Sequence, residues 1–212
     1  MYTKQDSINW QNKNIEEEFI NIFMKWFSED LLGKWFYERY YIVWKYSAYA
    51  SNMQGEFVEA GVYNGSSAFF MSQQCKTKLH LIDSWEGLSA LQDVDNPIYD
   101  REDNEWLPRF NISIDAVKEN LISCSNLEYH KGWIPEVLNI TAPISLLHLD
   151  LDLYQPTKDS LEYFWDLVVP GGIIISDLHD EVSWGASKAT KDFFKDIRDI
   201  TYLPTGKAII IK

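Results

Sequence analysis

Three observations predict an α/β fold with a mostly parallel sheet. From Glu56 onward, short β-rich runs alternate with helical patterns, the order that gives right-handed βαβ crossovers. The stretch from Leu146 to Asp180 reads as strand, turn, helix, turn, strand, with Asp150 and Asp152 after the first strand and Asp177 ending the second. The tail has two β-rich runs around Pro204-Thr205-Gly206, a hairpin signal that adds an antiparallel edge pair.

The elements follow in order. Residues Ile15 to Ser51 read as helix, with Phe19, Ile22, Phe23 and Trp26 at helical spacing and Gly33 breaking the run. Its second half is strongly aromatic, a stripe read first as core packing and second as a lid. This N-terminal helical cap covers 1–54, ahead of a Rossmann-like core over 55–212. In that core Glu56–Gly61 is the first strand, Ser66–Cys75 a helix and Leu79–Asp83 the second strand. Ala90–Phe110 carries six acids and two prolines without a clear period, and so reads as a lid or binding loop. Ser113–Ile122 is a helix with Ser113 as N-cap. Leu127–His130 and Ile144–Leu149 are the third and fourth strands. Thr157–Val168 is a helix stopped before Pro170-Gly171-Gly172. Gly172–Ser176 is the fifth strand, and Ala186–Ile197 an amphipathic helix with Ala189, Phe193 and Ile197 on one stripe.

Composition narrows the function classes. The 212 residues are 46% hydrophobic and 15% aromatic, ample for a core. A formal net charge of -13 argues against nucleic acid or an anionic membrane as partner, since both select basic patches. Cys75 and Cys124 have neither CxxC nor zinc spacing, and read as free thiols of a reducing cytoplasm. No signal peptide or membrane span is legible, so a cytoplasmic protein is expected, with a homo-oligomer left open.

The chemistry concentrates at strand ends, where open α/β sheets bind ligands. Strand alternation puts His148, Asp150 and Asp152 on one face, and carboxylates there need partners because unpaired buried charge is costly. The first strand runs into EAGVYNGSS, where Gly61 and Gly65 form G-x-x-x-G. These glycines allow a tight turn and close ligand approach, and the helix starting near Ser66 offers N–H groups to an anion. Asp83, ending the second strand, is placed to accept from a ribose diol, or alternatively to cap a turn. There is no GK[ST] and no G-x-S-x-G, which argues against a triphosphate cradle and an α/β-hydrolase.

The segments FVEAGVYNGSS, IDSWEGL, YHKGWIPEVL and LDLDLYQPTKDSLEYFWDLVVPGGIIISD stand in one order. In that order they resemble the macrocin O-methyltransferase family, S-adenosylmethionine-dependent enzymes that methylate sugar hydroxyls of natural products with magnesium. The resemblance runs from about Glu56 to the C-terminus. It implies a seven-stranded Rossmann-like methyltransferase sheet and a small-molecule hydroxyl acceptor, a sugar or glycoside. By position, Glu59, Gly61, Gly65, Ser66 and Ser67 would surround the methionine part of the cofactor. Asp83, Ser84 and Trp85 would hold the ribose, and Gly132 and Trp133 would lie near the adenine. Asp150 and Asp177 look like metal ligands and Asp152 like the general base, with His179 as the competing base. Leu151 stands where the family usually has glycine, and Leu178 where it usually has a second aspartate. A cofactor-binding but catalytically impaired member, or a nicotinamide-dependent oxidoreductase, are the rival readings.

Overall fold

A computed structural model describes residues 16–27, 37–95, 110–177, 185–196 and 199–212. Two helices open it. Helix α1, Glu17–Trp26, buries Phe19, Ile22 and Phe23 at i, i+3 and i+4, with Glu17 and Glu18 in its first turn and Lys25 in its last, charges that complement the helix dipole. Helix α2, Tyr37–Ala50, buries Tyr37, Tyr41, Val43 and Trp44. The Phe19 ring meets those of Tyr37, Tyr41 and Trp44 at 5.3, 5.3 and 5.5 Å between centroids. The aromatic stripe is therefore mainly core, and each such ring contributes roughly 1.5–3 kcal/mol when buried. Gly33, expected to break the run, lies outside the described residues.

The remaining elements are β1 (Glu56–Ala60), α3 (Ser66–Ser72), β2 (Leu79–Asp83), α4 (Ile114–Asn120), β3 (Leu127–Lys131), β4 (Ile144–Leu149), α5 (Tyr154–Phe164), β5 (Val168–Asp177), α6 (Gly185–Phe193), β6 (Thr201–Tyr202) and β7 (Lys207–Ile211). They form one seven-stranded sheet in the order β3-β2-β1-β4-β5-β7-β6. The first five strands pair in parallel, and β7 pairs antiparallel with β5 and β6. The chain reverses its strand order between β1 and β4, and their C-terminal ends are where such sheets bind ligands.

Each face of the sheet carries its own apolar cluster. Phe57, Leu81, Leu146, Ile175 and Ile209 pack against the N-terminal helices, with Phe69, Phe70 and Val117 from α3 and α4. Val58, Ile82, Leu147, Ile174 and Ile210 pack on the other face, with Leu161 and Phe164 of α5 and with Phe194. Alternation then sends Glu59, His148, Asp177 and Lys207 to the face under α2.

Several boundaries differ from expectation for physical reasons. Helix α5 starts at Tyr154 rather than Thr157, because Pro156 falls in the first turn, where a missing N–H costs nothing. Asp95 Oδ1 accepts the Tyr154 N–H at 2.6 Å and caps that helix from a distant loop. Pro170-Gly171-Gly172 is no stop signal but lies inside β5. The register jumps there from Ile144↔Val168 to Leu146↔Ile173, a bulge that absorbs the extra residues. Helix α4 keeps its expected N-cap, since Ser113 Oγ accepts from the Ala116 N–H at 3.2 Å. The hairpin around Pro204-Thr205-Gly206 also forms, closed by the Leu203 N–H donating to the Lys207 carbonyl at 2.9 Å. Most of the acidic 90–110 segment lies outside the described residues. No described helix is long and apolar enough to cross a membrane.

Candidate active site

The ends of β1 and β4 nearly touch. A Cβ added to Gly61 would sit 1.9 Å from the Asp150 carbonyl oxygen, and Gly61 has φ +85°. Glycine is required on both counts, and this close crossing opens a cavity of about 210 Å³. The C-terminal ends of β1, β2 and β3 and the segments after them contribute Gly61, Val62, Tyr63, Ser66, Ser67, Asp83, Ser84, Gly132, Trp133 and Ile134 to its lining. Arg39 and Tyr40 of α2, Asp150, Leu151, Asp152 and Leu153 after β4, Pro156 of α5 and Lys207 of β7 add to that lining.

Most expected site residues meet here, with exceptions. Glu59, Gly65 and Trp85 do not line the cavity. Glu59 is fully buried two residues before Gly61, accepting from His148 Nδ1 at 2.9 Å, and its Oε2 has no hydrogen-bond partner among the described residues. Gly65 packs on Leu121, and Trp85 is buried at 2% exposure. Asp83 is first a turn clamp. Its Oδ2 accepts the Val62 and Tyr63 N–H groups at 2.8 and 2.9 Å, and its Oδ1 accepts the Trp85 N–H at 2.7 Å. A carboxylate has about four lone-pair sites, so one remains for a ligand hydroxyl. Ser84 Oγ closes the following turn by donating to the Gly87 carbonyl and accepting from the Glu86 N–H. The Ser66 N–H goes to Asn64 Oδ1 at 3.1 Å, and the Ser66 hydroxyl bonds the Tyr40 hydroxyl at 2.9 Å.

The face alternation expected for Asp150 and Asp152 stops early. Strand β4 ends at Leu149, and Asp152 takes φ +61°, a left-handed conformation that aspartate tolerates at some cost. Its carbonyl accepts the Ala186 N–H at 3.1 Å, so α6 fixes the turn. Asp152 reaches the cavity by this turn rather than by strand alternation.

Asp177 lies behind Asp150, 4% exposed. Arg39 pairs with its Oδ2, and Lys207 Nζ donates to its Oδ1 at 2.8 Å. Lys207 Nζ also lies 3.1 Å from His148 Nε2. An ammonium can only donate, so Nε2 accepts and Nδ1–H faces Glu59. Burial and the Lys207 charge lower the His148 pKa, which keeps it neutral: a satisfied core histidine. Burial would raise the Asp177 carboxyl, but the Arg39 and Lys207 charges more than reverse this and hold it well below the usual carboxylate range. Asp150 goes the other way, raised by burial and by the Asp177 charge, and it hydrogen-bonds the Asp177 carboxylate. Asp152 is pushed up to about 7 by burial and by Asp177, against the pull of Arg39.

The expectation that Asp150 and Asp177 ligate magnesium meets an obstacle. Both Asp177 oxygens already serve cations. A magnesium ion bound about 2.1 Å from Oδ1 would lie within about 5 Å of the Lys207 ammonium, a repulsion of about 7 kcal/mol at an effective dielectric near 20. The side chains as arranged do not fit a divalent ion. Among the described residues the metal-competent grouping is instead His80, Glu128 and His130, on the opposite sheet face, where the two histidines bond each other at 2.9 Å. His179, the competing base, lies outside the described residues, as does Leu178.

Arg39, Tyr40 and Lys207 were not foreseen. The available signal was the excess of acids at the strand ends, which demands buried cations, together with a lysine heading the apolar strand KAIII.

A family model described as macrocin O-methyltransferase (TylF) matches residues 45–204. The chain belongs to the macrocin O-methyltransferase family. A Streptomyces olivaceus 8-demethyl-8-(2,3-dimethoxy-alpha-L-rhamnosyl)-tetracenomycin-C 4'-O-methyltransferase is 28% identical over 142 residues, 60% of this chain and 54% of that protein. A Streptomyces niveus demethyldecarbamoylnovobiocin O-methyltransferase is 28% identical over 144 residues, 60% of this chain and 53% of its own length. The chain spans about half the length of the curated relatives it matches. Among solved structures, a calicheamicin methyltransferase shares the fold with a TM-score of 0.70 at 18% identity, over 98% of this chain and 90% of its own. The O-methyltransferase NovP gives 0.67 at 18% identity, over 83% and 80%. These confirm the expected Rossmann-like sheet.

Proposed function

We propose that this protein is an S-adenosylmethionine-dependent O-methyltransferase acting on a hydroxyl of a sugar or glycosylated small molecule. The observation that carries the reading is one cavity at the strand-order reversal, lined by two chemically distinct sets of residues. One set is a glycine turn, serines and an acid on the next strand. The other is two fixed cations and two carboxylates. Neighbouring folds were solved with S-adenosylhomocysteine or S-adenosylmethionine bound, and one relative of the fold is described as a TDP-rhamnose 3'-O-methyltransferase.

In this reading Gly61, Ser66 and Ser67 hold the methionine portion of the cofactor, Asp83 and Ser84 the ribose, and Trp133 with Ile134 the adenine. The cofactor supplies an electrophilic methyl group on a positively charged sulfur. Asp152 faces the acceptor hydroxyl and takes its proton. A base whose pKa sits near the working pH transfers protons most effectively, and a raised Asp152 meets that condition. With the cofactor bound, its methyl group would be the group passed to the acceptor oxygen, the electron pair of the broken carbon–sulfur bond remaining with sulfur. Tyr40 and Val43 cover the site from α2 and exclude water. Assistance by magnesium, which the family resemblance implies, is not part of the step, because Arg39 and Lys207 occupy both oxygens of Asp177, one of the two carboxylates it would need.

Calorimetric titration with S-adenosylhomocysteine tests the cofactor half, and transfer of labelled methyl to TDP-rhamnose tests the acceptor half. Binding together with label in the sugar supports the reading. Absence of cofactor binding removes it. Stabilisation by NADH instead would favour an oxidoreductase, since a ligand that binds only the folded state raises its stability.

A further inference from the structure

We infer that Arg39 and Lys207 stand permanently in the place of a catalytic divalent cation, so that methyl transfer here is metal-independent. The inference rests on the methyltransferase reading above. Each oxygen of Asp177 is taken by a different cation, Arg39 on one and Lys207 on the other. Both cations also line the cavity. They therefore face two ways, toward the buried carboxylate that anchors them and toward the space where an acceptor enters.

The anchoring is built into the fold. Asp177 and Lys207 are cross-strand partners on β5 and β7, and both side chains are 3% exposed. His148 on β4 accepts a second Lys207 hydrogen bond at 3.1 Å, and Glu59 on β1 orients His148 in turn. Four adjacent strands thus contribute to holding one ammonium. Arg39 comes from α2. Asp150, Asp152 and Asp177 bring three carboxyl groups, which two fixed positive charges largely balance. A divalent ion added to that set would meet two cations already in contact with its ligands. The residue after Asp177 is Leu178, whose side chain has no oxygen to offer.

A divalent ion in a methyl transfer to oxygen would orient the acceptor hydroxyl and offset the negative charge that grows as its proton leaves. Arg39 and Lys207 can do both. A guanidinium presents a planar fork of donors and an ammonium a compact charge, and both are held in position before the acceptor arrives, which is the condition for strong electrostatic stabilisation.

The test uses the full chain, stripped with chelator and desalted. Mn2+ is titrated and followed by electron paramagnetic resonance in the parent, Asp150→Asn and Lys207→Met, with S-adenosylhomocysteine calorimetry on the same samples. Superimposable Mn2+ curves for the parent and Asp150→Asn are expected. Lys207→Met, which frees an Asp177 oxygen, should gain Mn2+ affinity by about tenfold or more, the scale for changes around a metal site. Should Lys207→Met not fold, Arg39→Gln releases the other oxygen and serves in its place. Mn2+ binding by the parent below about 0.1 mM that is lost in Asp150→Asn would overturn the inference. So would a folded cation variant with no gain. The two readings fail separately. Absence of S-adenosylhomocysteine binding removes the methyltransferase reading, whereas retained cofactor binding with Asp150-dependent Mn2+ removes only the cation assignment.

Discussion

Lys207→Met should be among the most destabilising single changes in this protein. Methionine keeps the length and apolar stem of lysine while deleting its charge and donors. The ammonium is buried and bonds Asp177 Oδ1 at 2.8 Å and His148 Nε2 at 3.1 Å. Removing one partner of a buried ion pair costs roughly 3–5 kcal/mol, because the other charge is left uncompensated. Arg39 still holds Asp177, which pulls the cost to the lower end, but His148 Nε2 loses its donor, worth about 1–3 kcal/mol. The expected total is about 4 kcal/mol. At roughly 2–4 °C per kcal/mol for a chain of this size, the melting temperature should fall by about 8–16 °C. Urea unfolding followed by tryptophan fluorescence is the assay, and a lowered midpoint with unchanged slope is the expected signature. A loss below about 1 kcal/mol, or a gain, would mean that the desolvation cost of Lys207 already cancels its pairing, and the anchoring role would be refuted.

Other expectations concern the cavity. Gly61→Ala forces a Cβ to within 1.9 Å of the Asp150 carbonyl oxygen at a residue with φ +85°. It should lose roughly 1–3 kcal/mol from backbone strain alone, read by thermal unfolding, and an unchanged melting point would mean that β1 and β4 do not meet as described. Asp83→Ala removes the acceptor of three backbone N–H groups. It should therefore lower both stability and S-adenosylhomocysteine affinity, the latter by roughly 1.5–3 kcal/mol, and intact calorimetric binding would make Asp83 a turn clamp alone. Asp152 must be ionised to act as a base, so the methyl-transfer rate should rise with pH through about 7. Asp152→Asn should abolish that inflection and slow transfer by about 10²–10⁴-fold; a preserved inflection would shift the base to His179. The same group affects stability with a definite sign. Its folded pKa lies above its unfolded one, so the native state holds an extra proton between about pH 4 and 7 and stability falls as pH rises through that window. Urea midpoints across that range should drop less in Asp152→Asn.

Much of this was legible in the chain because the signals are local. Alternation of apolar periods marks β1 to β5 and their crossovers, Pro204-Thr205-Gly206 marks the closing hairpin, and Ser113 marks its helix start. Gly61, Asp83, Asp150 and Asp152 stand at strand ends, where a parallel sheet opens to ligands whatever the details of packing. Short-range pairing rules and the period of a pleat need no knowledge of distant residues. Pro170-Gly171-Gly172 misled for the same reason: locally it is a turn, and only pairing with β4 and with the chain end at Lys212 turns it into a bulge.

The charge balance of the site could not be read that way. Arg39 and Asp177 are 138 positions apart, and Lys207 and His148 are 59 apart. Their meeting depends on α2 packing over one face of the sheet and on β7 inserting beside β5. Whether a carboxylate at a strand end binds a metal, takes a proton or anchors a lysine is set by what lies within a few ångströms in a medium of low dielectric. Sequence order carries no such distance. It located the acids, and the packed fold assigned Asp177 to two cations and left Asp152 facing the cavity.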